Sequence, residues 1–370
     1  MRGKPNDQTS LLALVSMESL IPSDHPLRRV KPLADEALRE LGPIFDELYS
    51  SVGRPSIPPE HLLKASLLMA LYSVRSERLF CEQLGYNMLF RWFLDMEMVD
   101  KPFDPTVFSH NRERMLAEDV AGRFLATVVE GARRRGLLSS DHFSVDGTLI
   151  EAAASFKSFT PKGEAYDSKG FAEFHGTERK NDTHGSKTDP EAKLYRKGFG
   201  REAKLSYMGH VLIENRNGLA VDFEVTEATG TAERETAITL AERVQAARQS
   251  RQRRKQKRRQ QKRQKRGPRI TLAADKGYDT RAFVHRCREL KFTPHVARKD
   301  TSIIDGRTTR HAGYRLSQTA RLLTEKVFGW AKTVGGFRRT PFIGLQRTRA
   351  AALMVVAAYD LLRISNLLTA

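Results

Sequence analysis

The chain has 370 residues, with 63 Lys or Arg against 44 Asp or Glu and a net charge of +19. That length allows two domains and at least one large core, and the charge favours a phosphate-rich partner, nucleic acid first. Two cysteines, Cys81 and Cys287, with no CxxC or Cys/His cluster, argue against a disulfide framework and a structural zinc site and fit a reducing interior.

The N-terminal "MRGKPNDQTSLLALVSMESLIPSDHP" has its apolar stretch broken by Ser16, Glu18 and Ser19 and lacks a small-residue cleavage signal, so no signal peptide is expected. From Pro26 to Leu138 the spacing is helical, most clearly in "PPEHLLKASLLMALYSV" and "DVAGRFLATVVEGARRRGLL". Residues 1–138 are therefore expected to form an all-α domain. Pro58 and Pro59 precede a helix starting near Glu60, and Asp104 caps another with Pro105 just inside it. On such helices Arg112 and Arg114 are either phosphate contacts or solvated charges.

At Ser140 the pattern turns to strands: "HFSVDGTLI", "AKLSYMGHVLIENRN" and "LAVDFEVTEA", with a turn at Asn217-Gly218. A helix from Thr231 to about Ala247, the strand "RITLAADKGY" and further helix follow, which predicts an α/β domain with a mixed sheet over residues 139–370. Ser155 to Gly200 is polar and reads as a loop excursion. Arg248 to Arg269 holds 13 Lys or Arg and no acid, leaving +6 for all other residues; within it Arg253, Arg254 and Lys255 are candidate DNA contacts, in an arm or in a solvated spacer. The apolar "AAALMVVAAY" stops at Asp360, short of the roughly 20 residues that span a bilayer, and reads as a core helix.

Aspartate is disfavoured inside strands, so Asp146 in "FSVDGT" marks either a solvent-facing edge or a site built on the sheet. It shares a face with Ser144 and Thr148. Asp275 closes "ITLAA" at a strand's C-terminal end, where α/β sheets bind ligands, though a turn or cap aspartate also fits. Glu325, in "LLTEKVFGWAKTVGG", has Arg321 and Lys332 within about 40° of it on an ideal helix. The face is either an i,i+4 surface salt bridge or a metal-binding carboxylate flanked by cations. Three carboxylates, two on neighbouring strands and one on a helix beside them, supply hard oxygen ligands for Mg²⁺. Two such ions about 4 Å apart can drive in-line phosphoryl transfer without a protein nucleophile.

Taken in order, "SVDGTLIEA", "SKTDPEAKLYRKG" with "AKLSYMGHVLIEN", "LAADKGYD" and "ARLLTEKVFGWAK" resemble the DDE transposases of bacterial insertion elements, in particular the insertion sequence five group. The resemblance spans nearly the whole chain. It implies an RNase H-like catalytic domain with a mixed sheet behind the helical domain, and a metal-binding catalytic triad of Asp146, Asp275 and Glu325. It further implies two Mg²⁺ ions, replaceable by Mn²⁺, and double-stranded DNA, both element ends and target, as partner. A homodimer on DNA in the bacterial cytoplasm and nucleoid is implied as well. Arg321 and Lys332 match the family's Tyr-Arg-Glu-Lys signature as DNA contacts, but position 318, where its Tyr belongs, is Gln318. Rival functions are an inactive DNA-binding regulator and a nuclease that never joins ends. Asp141, Glu151, Glu227 and Asp279 read as structural, Asp279 as a helix cap; His210 and Trp330 read as packing residues rather than DNA contacts.

Overall fold

The architecture comes from a computed structural model. It describes residues 16–50, 52–53, 55–162, 179–196, 198, 200, 202–258 and 269–369, with the backbone alone for 252 and 254–258. The first part is helical: α1 (Met17–Leu20), α2 (Leu27–Leu48), α3 (Pro59–Leu71), α4 (Glu77–Leu84), α5 (Met88–Phe93), α6 (Thr106–Ala117) and α7 (Val120–Arg134). One apolar stripe explains α2, which buries Leu27, Val30, Ala34, Leu38, Leu41 and Phe45. Pro59 opens α3 at a position whose backbone N–H has no helical partner to lose. Asp104 Oδ1 accepts from the Thr106 N–H at 2.8 Å, and α6 starts at Thr106, so Pro105 flanks the helix instead of lying inside it.

The remainder runs β1 (His142–Glu151), β2 (Phe159–Pro161), β3 (His184–Ser186), β4 (Lys193–Tyr195), β5 (Lys204–Glu214), β6 (Ala220–Glu227), α8 (Ala232–Arg258), β7 (Ile270–Ala274), α9 (Arg281–Glu289), β8 (Phe292–Val296), α10 (Gly306–Thr309), α11 (Ala312–Ala320), α12 (Leu323–Thr333) and α13 (Leu345–Leu367). The main sheet has β5 antiparallel to β1, then β7 and β8 parallel on β1's other side. Along the far edge of β5 lie β6 and β4. This strand order, with helices on both faces, is a mixed α/β, RNase H-like fold behind a helical N-terminal region. The β5–β6 turn needs Gly218, whose φ of +71° lies in the left-handed region.

Four features depart from the sequence reading. The excursion 155–200 contains the small β2–β3 ladder and lends β4 to the main sheet; its residues 163–178 lie outside the described ones. Strand β8, "FTPHV", gave no signal because it is short and carries Pro294. Helix α8 continues past Ala247 to Arg258, into the basic tract, whose residues 259–268 lie outside the described ones. Helix α13 does not stop at Asp360 but spans 23 residues, long and apolar enough to cross a membrane by length and composition. Its most apolar stretch is 67% buried inside the protein, which makes it a core helix.

The core explains that burial. On one face of the sheet Val211, Ile213, Phe223 and Val225 join α13's Leu353, Val356, Ala357 and Leu361 and the buried stripes of α2, α3 and α7 in one cluster. On the other face Phe143, Val145 and Leu212 meet Ala237, Leu240 and Ala241 of α8 and Phe283 and Val284 of α9. Covered on both faces and paired on both edges, β5 is buried from Leu205 to Glu214.

Candidate active site

The β1–β7 register decides where the two aspartates stand. His142 pairs with Thr271, Phe143 with Leu272 and Ser144 with Ala273, a constant offset of 129. Carried two residues further, it sets Asp146 abreast of Asp275, on adjacent parallel strands that lie about 4.8 Å apart. Ladder pairing with β7 ends at Ser144, while β1 runs on to Glu151 against β5. From Val145 onward β1 therefore presents a free edge, until the Glu151 N–H meets the Arg338 carbonyl at 3.0 Å.

Alternate residues of a strand turn their N–H groups to opposite edges. The Ala152 N–H bonds the Leu205 carbonyl beside β5, and Glu151 bonds the other edge, so Gly147, in phase with Glu151, points its N–H to the free edge. Asp146 Oδ1 accepts that N–H at 2.8 Å. Its carboxylate is thereby drawn to the free edge, next to Asp275. Burial pushes the Asp146 carboxyl above the usual range; the Gly147 and Thr324 hydrogen bonds oppose this, the Asp275 charge adds to it, and Arg321 opposes it. Asp275 Oδ1 accepts the Gly277 N–H at 2.7 Å, so it caps a short 3-10 turn and also faces the site. The turn reading and the site reading of this residue are compatible.

Helix α12 closes the site from the core face. Thr324 Oγ1 donates to Asp146 Oδ2 at 3.1 Å, and Lys332 Nζ donates to Thr148 Oγ1 at 2.6 Å, two residues along β1. Arg321 is not on this helix. It lies in the turn between α11 and α12, so the single charged helix face expected from sequence is broken at its first member. Its Nε is buried and, among the described residues, has no hydrogen-bond partner. A buried guanidinium nitrogen left over beside two carboxylates is suited to an incoming phosphate oxygen. Glu325 occupies the first turn of α12, next to Thr324, with its side chain exposed.

Among the described residues no three acidic, histidine or cysteine side chains are close enough together to enclose a metal ion. The donor chemistry nonetheless fits a divalent cation. Two carboxylates stand abreast, one of them raised by burial and by its neighbour, and a cation between them relieves both effects. Asp146 and Asp275 are the residues that would hold it, with Glu325 one helical position from Thr324.

The other candidates lie elsewhere or are already engaged. Arg112 pairs with Glu77 and stacks on Phe342 at 4.8 Å, while Arg114 stacks on Tyr49 at 4.6 Å. Arg253 is exposed on α8; the side chains of Arg254 and Lys255 lie outside the described ones. Asp279 accepts from the Lys299 N–H at 2.7 Å and the Ser302 hydroxyl at 2.9 Å, pinning the loop after β8, and Thr280 caps α9 in its place. Glu151 pairs with Lys204, Glu227 with Lys193 and Asp141 with Arg248. His210 is fully buried, bonded to Thr226 at 2.8 Å and pushed down to about 3 by burial. Trp330 packs edge-on against Tyr359. The Gln318 amide donates to the His295 carbonyl, a structural tie where the family signature has Tyr. Sequence reasoning missed Thr324, Thr148, Glu233 and Tyr278, because nothing in a helix or strand pattern distinguishes a residue facing a free sheet edge from one facing the core.

The family described as "Transposase DDE domain" matches residues 138–361, and that described as "Transposase domain (DUF772)" matches residues 15–114. The first match spans more than half of the sequence, and the chain belongs to the transposase DDE domain family. Its function is that of a DNA transposase, an enzyme acting on DNA. A comparison with curated protein sequences finds no match. Similar solved structures include the piggyBac transposase synaptic complex with hairpin DNA, at 8% identity over 91% of this chain and 74% of that chain with a TM-score of 0.39. Another is a pre-cleavage Mos1 transpososome, at 13% identity over 94% and 96% with a TM-score of 0.21. The fold assignment rests on the strand order, not on these likenesses.

Proposed function

We propose that this transposase belongs to the insertion sequence five group and binds the terminal inverted repeats of its element. It cleaves the DNA there and joins the liberated 3′ ends to a target, through a triad of Asp146, Asp275 and Glu325. The observation that carries the reading is the position of Asp146 abreast of Asp275 at a free strand edge, with α12 fastened to Asp146 through Thr324. Magnesium, or manganese in its place, supplies activation of the attacking oxygen and charge neutralisation at the leaving oxygen, as a pair of ions about 4 Å apart. Asp146 and Asp275 provide hard oxygen donors, and Glu325 the third. Gly147 N–H and Thr324 Oγ1 fix one oxygen each of Asp146, so the carboxylate meets its ligand preorganised. Arg321 and Lys332 take up phosphate charge beside the acids.

In this reading residues 1–138 serve end binding and dimerisation, and residues 139–370 the chemistry, with the excursion 155–200 and the tract 248–269 as DNA-facing additions. Arg112, Arg253, Arg254 and Lys255 are assigned to phosphate contacts; Arg112 must leave Glu77 to make one. Two ends handled together call for a homodimer, acting on the bacterial nucleoid. The test uses DNA carrying the inverted repeats with Mg²⁺. Asp146→Asn, Asp275→Asn and Glu325→Gln each abolish cleavage and leave DNA binding intact, since each removes a ligand charge and keeps the shape. Substantial cleavage by any one variant removes that residue from the triad. Transfer of 3′ ends into target DNA separates this function from a nuclease or an inactive regulator.

A further inference from the structure

We propose that Glu233 is an additional acidic residue of the active site, reaching the cation position of Asp146 and Asp275 from the opposite face of the sheet. The inference rests on the assignment of that pair to metal binding. It begins with Gly147. This glycine is not at a positive φ, so backbone conformation does not require it. Space does: a Cβ at position 147 would stand 2.8 Å from Glu233 Oε1 and 2.9 Å from Glu233 Cγ. The missing side chain is filled by the Glu233 carboxylate, which therefore lies against the residue whose N–H holds Asp146 Oδ1.

A second observation locates the same point independently. The Tyr278 hydroxyl is buried and, among the described residues, has no hydrogen-bond partner, and the whole residue is 1% exposed. Beyond burial, the charges that push this phenol upward are those of Glu233, Asp146 and Asp275, in that order. Three carboxylates from α8, β1 and the end of β7 thus surround one unpaired buried hydroxyl. A glutamate in the first turn of a helix ordinarily complements the helix dipole from the solvent side. Glu235, in the same turn, is exposed and suits that role; Glu233 turns inward over the sheet. Like charges kept this close repel, and a divalent cation between them removes the repulsion. Glu233 adds a donor on the face that α12 does not cover, which favours a hard oxygen-seeking ion such as Mg²⁺ or Mn²⁺.

The test is Mn²⁺ binding to the full-length protein without DNA, followed by the paramagnetic signal of free Mn²⁺, alongside thermal unfolding. Asp146→Asn is the reference for the underlying pair and loses Mn²⁺ binding. Glu233→Gln, which keeps the shape, weakens Mn²⁺ affinity about 10- to 100-fold. Gly147→Ala does the same with every acid retained, because its methyl displaces the Glu233 carboxylate. Wild-type Mn²⁺ affinity in Glu233→Gln with loss in Asp146→Asn overturns the role of Glu233 and leaves the Asp146–Asp275 reading standing, whatever happens to the melting temperature. Wild-type affinity in Asp146→Asn overturns that reading, and the inference with it.

Discussion

Glu214 and Asp360 are both buried acids, yet their neighbours give them opposite behaviour. Glu214 accepts from the backbone N–H groups of Ser139, Arg216, Asn217 and Leu219 at 2.6 to 3.4 Å, tying the start of β1 to the β5–β6 turn. Gln at 214 faces those donors with an NH₂, so Glu214→Gln is expected to cost about 2 kcal/mol, measured by urea denaturation. Asp360 accepts a single N–H, that of Ala220, at 2.9 Å, and burial lifts its carboxyl well above the usual range, with Glu214 adding to the effect. Its folded-state value exceeds the unfolded one, so the folded protein binds the extra proton. Stability is full below about pH 4, the unfolded value, and falls as pH rises through the folded value. Asp360→Asn removes that proton linkage. Its stability relative to wild type should therefore improve between pH 5 and pH 8; a constant difference across that range would show that Asp360 does not titrate this way.

At the scale of single elements, α12 is a clamp on β1 as much as a carrier of Glu325. Thr324→Val keeps the buried shape and deletes the bond to Asp146 Oδ2, which should lower cleavage about tenfold or more with little change in melting temperature. Lys332→Ala should lower cleavage more than Lys332→Arg, because a cation at Thr148 still supports developing charge when its geometry is imperfect. Equal rates in wild type and both Lys332 variants would reduce that contact to a structural one. Helix α8 differs in kind: its first turns pack Ala237, Leu240 and Ala241 into the core, and its last turns enter the basic tract. Exchanging 254–268 for a neutral Gly/Ser linker should flatten the log-log salt dependence of DNA binding by several units, at roughly 0.9 per phosphate released. Sequence preference should persist, since phosphate contacts position and base contacts specify.

Over the whole molecule, α13 makes the helical region and the sheet share one core. Leu353, 2% exposed, sits in the cluster that also holds Val30, Leu68 and Phe124 from the N-terminal helices and Val211 from β5. Leu353→Ala should destabilise the protein by about 2 to 5 kcal/mol. It should do so for both regions together. Trp92 reports on α5 and Trp330 on α12, so single-tryptophan variants, Trp92→Phe and Trp330→Phe, should show coincident unfolding curves. Separate transitions would mean that the two regions fold independently and that α13 serves only one of them.

The amino-acid sequence by itself determined the helix-to-strand change at residue 140, the β1, β5, β6 and β7 strands, and the acids at the end of "FSVD" and "ITLAAD", because side-chain periodicity and the misfit of Asp in a strand are local properties. The resemblance carried by those motifs pointed to the family that residues 138–361 match. Tertiary structure alone decided that an offset of 129 sets Asp146 beside Asp275, since register depends on which strands meet. It also decided that Arg321 leaves the helix of Glu325, that Arg112 is paired, and that Glu233 fills the space over Gly147. Those are contacts between residues 35 to 178 positions apart or breaks in an otherwise continuous helical pattern, and no periodicity within a single segment encodes them.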